Sequence, residues 1–226
     1  MKLQEHCLTC IYDQTKRVCE LLNVDEQQAQ KIDCLAHTKI ATFDMNQTPP
    51  HNAAPLYEAM AEVLGVHDLY AQFKADSSEK AKAFLPLCEQ KIKQSSHKLF
   101  EATKTAVAGN VIDLAAVMLY DLEEELEKIY HTPFAIDDFA LLEQQLAHTQ
   151  TLVYLADNAG EEIFDKLYIQ TIKELFPKIN VYYFVRGRPI INDLTCQDAL
   201  ASGMNDVATI VDSGVPTPGL AMELMN

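Results

Sequence analysis

The sequence predicts an α/β protein: a helical N-terminal part followed by a parallel sheet with covering helices. Three observations carry this. No strand-like run precedes residue 150. After it, three short apolar runs, 151–156, 181–185 and 207–211, recur at intervals of roughly 25–30 residues. Helical patterns separate them, which is two βαβ units in series and the mark of a parallel sheet.

In the first half, Cys10, Ile11, Cys19, Leu21 and Leu22 fall near helical spacing in a polar background. Asn46-Gln47-Thr48-Pro49-Pro50 reads as a break. A helix is expected from Ala54 to Leu64, stopped by Gly65, and Ser77 or Ser78 is expected to cap the next one towards Leu87. Leu122 to Lys128, charge-rich, reads as a solvated helix face. Thr151 to Ala156 is strand-like and ends in Asp157-Asn158-Ala159-Gly160. A helical pattern runs from Glu161 to Phe176 and stops before Pro177. Val181 to Val185, β-branched and aromatic, ends in Arg186-Gly187-Arg188-Pro189. A short helix from Asp193 or Thr195 to Ala201 is closed by Gly203, and Val207 to Val211 ends in Asp212-Ser213-Gly214.

Composition narrows the function. The 226 residues carry 33 Asp and Glu against 18 Lys and Arg, a net charge of −15. That excess opposes a nucleic-acid binder, which needs a basic footprint, and opposes an anionic membrane surface. No apolar run approaches the ~20 residues that span a bilayer, and the N-terminus lacks the apolar stretch of a secretory signal. A cytoplasmic protein is expected, with its six cysteines reduced. Cys7-Leu8-Thr9-Cys10 is the one recognisable cysteine unit, and Cys34 with His37 could in principle complete a tetrahedral zinc set.

In open parallel sheets, ligands bind beyond the carboxyl ends of the strands. Here those ends bring Asp157, Asn158 and Gly160, then Arg186, Gly187, Asn192 and Asp193, then Asp212, Ser213 and Gly214. Carboxylates and an amide oxygen are hard ligands suited to Mg²⁺ or Mn²⁺. Arg186 and the amides around Gly187 would cradle an anion such as phosphate. Each of these turns also reads as ordinary helix capping. Convergence on one sheet edge favours a site. There is no G-x-G-x-x-G, no P-loop and no G-x-S-x-G.

The motifs together resemble the DUF89 family of metal-dependent damage-control phosphatases, in the prokaryotic branch with an N-terminal Cys pair. They are Cys7-x-x-Cys10, Asp68-x-Tyr70-x-x-x-Lys74, Gly109-Asn-Val-Ile-Asp113, Asp157-Asn-Ala-Gly-Glu161 with Phe164-Asp165, Val185-Arg-Gly-Arg-Pro189 and Asn192-Asp193-x-Thr195-x-x-Asp198-Ala199. The resemblance implies a helical domain over residues 1–97 and a three-layer α/β/α domain with a Rossmann-like, mostly parallel sheet over 98–226. It implies hydrolysis of small phosphate monoesters, sugar phosphates or damaged phosphometabolites, with Mn²⁺, Ni²⁺, Co²⁺ or Mg²⁺ as cofactor. By the same resemblance Asp157, Asn158 and Asp193 are the metal ligands. Asp157, Asp193 and Asp113 are the candidate catalytic acids, and Asn110, Arg186, Gly187 and Lys74 contact the substrate. Leu69 stands where that family prefers Pro, and Ser78 where Asn is common. Against the family pattern the chain reaches Asn226 before a further strand and a Lys-Gly-rich phosphate-contacting loop. The alternatives are a methyltransferase-like enzyme with an adenosyl cofactor and a non-catalytic interaction module.

Overall fold

A computed structural model of the chain describes residues 2–115 and 122–217. The chain divides into two compact units: residues 1–73 with 186–193 and 213–226, and residues 74–185 with 194–212.

The first unit is built on α1 (Glu5–Leu21), α2 (Glu26–Ile40) and α3 (Pro49–Leu64). α1 buries Ile11, Thr15 and Val18, spaced three and four apart, so one stripe faces the core. α2 opens on a reciprocal capping box between Asp25 and Gln28. The expected break at 46–50 separates α2 from α3, and its two prolines open α3, which starts ahead of the expected Ala54. Thr48 caps it by accepting from the His51 amide, and Pro49 occupies the first helical position, where its missing N–H costs nothing. Gly65 ends α3 at φ +67°, as expected for a left-handed cap. Val18, Ile32, Ala36, Leu56 and Met60 form the centre of this core, and Ile190 joins them from the 186–193 segment.

The second unit contains α4 (Ala71–Gln94) from Lys74 onward, α5 (Lys98–Ala115), α6 (Leu122–His131) and α7 (Phe139–Leu146). These precede β1 (Thr151–Leu155), α8 (Glu161–Leu175), β2 (Asn180–Val185), α9 (Cys196–Ala201) and β3 (Thr209–Asp212). The expected boundary at 97/98 falls inside this unit. The reason is packing: α4 buries Ala81 and Cys88 against Ala108, Ile163 and Phe164, so it belongs with the helices around the sheet. Ser77 and Ser78 are not caps. Both lie inside α4, which begins at Ala71. In α6, Glu124 and Lys128 pair at 3.1 Å on the exposed face that the charge pattern predicts.

The sheet is parallel with order β1-β2-β3. Thr151 faces Asn180 and Val185 faces Asp212, so all three carboxyl ends share one edge. Leu152, Tyr154, Val181, Tyr183 and Val185 point into one face, covered by Ile169 and Ile172 of α8 and Ala199 of α9. The helices of the two successive crossovers, α8 and α9, thus both contribute to the core on this face. The opposite face carries Val153, Leu155 and Tyr182, all exposed. β3 starts at Thr209, not Val207, because Val207 and Ala208 close the short 3₁₀ turn Met204–Asp206.

A buried carboxyl ties α8 to the sheet. Asp165 accepts from the Tyr154 hydroxyl at 2.5 Å and the Tyr183 hydroxyl at 2.7 Å, and the two rings stack 5.4 Å apart. Burial pushes its carboxyl up to about 7, against the pull of the two phenols, and Glu161 and Glu162 add to the rise. An unfolded Asp titrates near 3.9. The folded state therefore holds the extra proton between about pH 4 and pH 7. This contribution is full below that window and is lost as pH rises through it. In denaturant titrations the stability of wild type relative to Asp165→Asn is expected to fall between pH 4 and pH 7 by on the order of 2–4 kcal/mol. Parallel profiles would show that Asp165 ionises without penalty.

Candidate active site

The turn after β1 is shaped by Gly160. At φ +101° it takes a conformation that side chains resist, and it is buried against Ser77 of α4. The chain leaves β1 at Ala156, whose amide still bonds to Phe184, exposes Asp157, and enters α8 after Gly160. The Asp157 carbonyl accepts from the Leu194 amide at 2.8 Å.

Asn158 is held by its own helix. Its amide nitrogen donates to Glu161 Oε1 at 3.0 Å. The same oxygen accepts from the Asn110 amide at 3.5 Å. Asn110 reaches it because the residue before it is glycine: a Cβ on Gly109 would stand 3.3 Å from the Glu161 Cα and from the Phe164 ring. With its nitrogen committed, the Asn158 amide presents its carbonyl oxygen on the other side, a hard donor beside the Asp157 carboxylate.

The next acid has a different job. Glu162 is buried, and its carboxylate accepts from the Ser78 hydroxyl at 2.6 Å and from the Gly160 amide. Burial holds it above the usual carboxylate range, opposed by these two donors. It fastens the start of α8 to the middle of α4, so Ser78, where the DUF89 pattern has Asn, serves as a donor to Glu162.

Lys74 is paired within the fold. It is 2% exposed, and its Nζ lies 2.5 Å from Asp198. Asp198 is also the capping-box acid of α9, accepting from the Thr195 amide at 2.9 Å and hydroxyl at 2.7 Å. The carboxylate neutralises this buried ammonium, which forms an ion pair inside the fold. The Asp68-x-Tyr70 part of the same motif lies in the first unit. There Asp68 accepts from the Tyr70 amide at 2.8 Å, and Leu69 is buried in the core. This segment borders a cleft of about 360 Å³ with Tyr57, Glu58, Arg188 and Ile190. Burial pushes the Tyr70 hydroxyl up to about 12.

The 186–193 segment also belongs to the first unit. Arg186 Nε donates to Asp193 Oδ2 at 2.6 Å, and both side chains are largely buried. Arg186 therefore holds an acid, where the sequence suggests an anion. The Gly187 amide, expected to cradle phosphate, donates to the Val215 carbonyl at 3.0 Å. Glycine is required there for another reason: a Cβ would lie 2.7 Å from the Gly214 carbonyl carbon, and backbone cannot yield as a side chain can. Ile191, at φ +42°, is a β-branched residue in the left-handed region, a strain that clusters at functional sites.

Of the expected site residues, Asn110 and Asn158 meet on Glu161, beside Asp157. Arg186 and Asp193 meet each other, Gly187 is a packing glycine, and Lys74 is drawn to Asp198. The Asp113 side chain lies outside the described residues. Glu161, Glu162 and Asp198 are site-forming acids that motif reading treats as helix-start residues. The signal for Glu161 was its spacing, Asn at one position and Glu three later at a helix start, a capping-box pattern. All six cysteines are free. Among the described residues, no three or more His, Cys, Asp and Glu side chains are grouped to hold a metal.

These features define an α/β protein whose strand edge carries an Asp-Asn turn at a helix N-terminus, where amides and the helix dipole favour an anion. Comparison with known proteins specifies the class. Residues 3–226 match the model of the damage-control phosphatase ARMT1-like domain. The chain is 30% identical over its full length to a damage-control phosphatase of Pyrococcus horikoshii, covering 78% of that protein. It is 28% identical to a damage-control phosphatase of Archaeoglobus fulgidus, with 99% and 78% covered. The crystal structure of a DUF89 family protein from Pyrococcus horikoshii superposes with a TM-score of 0.87 at 28% identity, covering all of this chain and 79% of that one. The chain belongs to the damage-control phosphatase ARMT1-like domain family.

Proposed function

We propose that this protein hydrolyses small phosphate monoesters, sugar phosphates or damaged phosphometabolites, using a divalent cation, Mn²⁺, Ni²⁺, Co²⁺ or Mg²⁺. The observation that carries the reading is the Asn158 amide locked by Glu161 beside the exposed Asp157 carboxylate, in a chain of this family. Asp157 and Asn158 offer hard oxygens that fit such an ion, and the DUF89 resemblance adds Asp193 as the third ligand. When bound, the cation supplies Lewis-acid polarisation of a phosphoryl oxygen.

The chain's own residues do the rest. Arg186 holds the Asp193 carboxylate in place through Nε. Asn110, anchored on Glu161, is assigned to the substrate side. Asp113 and Asp193 are the candidate acids for orienting or deprotonating water. Free cysteines throughout suit the reducing cytoplasm. Family membership favours this reading over an adenosyl-cofactor enzyme or an interaction module.

The test is turnover of p-nitrophenyl phosphate by chelator-stripped protein with Mn²⁺, Ni²⁺, Co²⁺ or Mg²⁺ restored singly. The expected result is no release without metal and saturable release with at least one. Equal release with and without every metal would overturn metal dependence. No release in any condition, here and with a panel of sugar phosphates, would overturn the phosphatase reading.

A further inference from the structure

We propose that Glu161 is a positioning residue for the metal ligand Asn158, acting through a hydrogen bond and making no contact with ion or substrate. The inference rests on the phosphatase reading and deepens it.

An Asn ligand has a weakness that an Asp ligand lacks. Its amide can turn over and offer NH₂ where the ion needs oxygen. Something must hold the nitrogen, and in metal sites that work falls to the groups behind the ligands. Glu161 Oε1 stands 3.0 Å from the Asn158 nitrogen, and ionised carboxylates only accept, so the amide can dock there in one orientation. The same oxygen takes the Asn110 nitrogen at 3.5 Å, which orients a second amide from a different helix. Two features steady the carboxylate's position. Gly109 brings α5 against the Glu161 backbone, where an added Cβ would stand 3.3 Å from the Glu161 Cα. Glu162, next in the chain, is bonded to Ser78 and to the Gly160 amide, which anchors the first turn of α8. A capping role alone would need neither amide.

The experiment compares wild type, Glu161→Ala and Glu161→Gln. It reads the Mn²⁺ dissociation constant of substrate-free protein by calorimetric titration, the melting temperature without metal, and kcat and KM for p-nitrophenyl phosphate. Glu161→Ala is expected to weaken Mn²⁺ binding by about 10–100-fold with little change in metal-free melting temperature. Glu161→Gln keeps an oxygen acceptor at the same reach, so it is expected to recover much of that affinity.

Wild-type Mn²⁺ affinity in a folded Glu161→Ala protein would overturn the proposal. Equal losses in the two variants would also overturn it, since the lost charge, or a direct bond to the ion, would then account for the effect. A wild type that neither binds Mn²⁺ nor turns over substrate defeats the phosphatase reading and this inference together. An active, metal-binding wild type with indifferent variants defeats this inference alone.

Discussion

Asp157→Ala is expected to lower metal-dependent kcat by about 10²–10³-fold, the loss typical when one pre-organised electrostatic group is removed from a transition state. Asp157 is exposed, so its truncation is expected to cost less stability than truncation of the buried Asp193. Activity and stability should therefore separate at this position. At Asp193 they should not. Its carboxylate is buried and bonded to Arg186 at 2.6 Å, so Asp193→Ala leaves a largely buried guanidinium without this partner. Asp193→Asn keeps an oxygen acceptor for Arg186 and isolates the loss of charge. The expected order in kcat is wild type far above Asp157→Ala and Asp193→Asn. The expected order in melting temperature is Asp157→Ala above Asp193→Asn, above Asp193→Ala. Wild-type turnover in both Asp157→Ala and Asp193→Asn would remove these acids from the chemistry.

The largest stability effect is expected at the Lys74–Asp198 pair. Breaking a buried pair from one side costs about 3–5 kcal/mol, because the remaining charge stays buried. The two sides are unequal here. The Lys74 side chain is 2% exposed and that of Asp198 is 25% exposed. Asp198→Ala removes this partner from the more buried ion and also dismantles the α9 capping box, worth roughly another 1 kcal/mol. Lys74→Met removes the buried charge altogether, and Asp198 keeps the Thr195 amide and hydroxyl as donors. Asp198→Ala is expected to lower the melting temperature by roughly 10 °C, at about 2–4 °C per kcal/mol for a chain of this size, and Lys74→Met by less. The reverse order in thermal denaturation would show that Asp198, not Lys74, depends on the pair.

The family itself was legible because its motifs are short and local. Asp157-Asn158 and Asn192-Asp193 follow apolar runs that could be recognised as strands by length and composition. Their roles were less legible. Arg186 and Lys74 look alike in sequence, two cations near glycine- or tyrosine-bearing motifs, and both suggest phosphate. In the structure each contacts an aspartate, seven residues away for Arg186 and 124 for Lys74. Gly187 looks like a flexible phosphate loop, yet it is glycine because Gly214 passes too close for any Cβ. Ser77 and Ser78 look like a helix start, yet α4 runs through them, since burial of Ser77 and the bond from Ser78 to Glu162 outweigh the capping preference.

The sequence by itself determined the α/β class, the strand–helix alternation after residue 150 and the placement of Asp157 and Asn158 at a strand end. These depend on periodicity and turn chemistry, which act over a few residues. Only the tertiary structure decided which charges are spent on one another, which glycines are packing contacts, that α4 belongs with the sheet and that Glu161 gathers two amides. Those outcomes depend on groups distant in the chain meeting in a medium of low dielectric, where a carboxylate's partner sets its role.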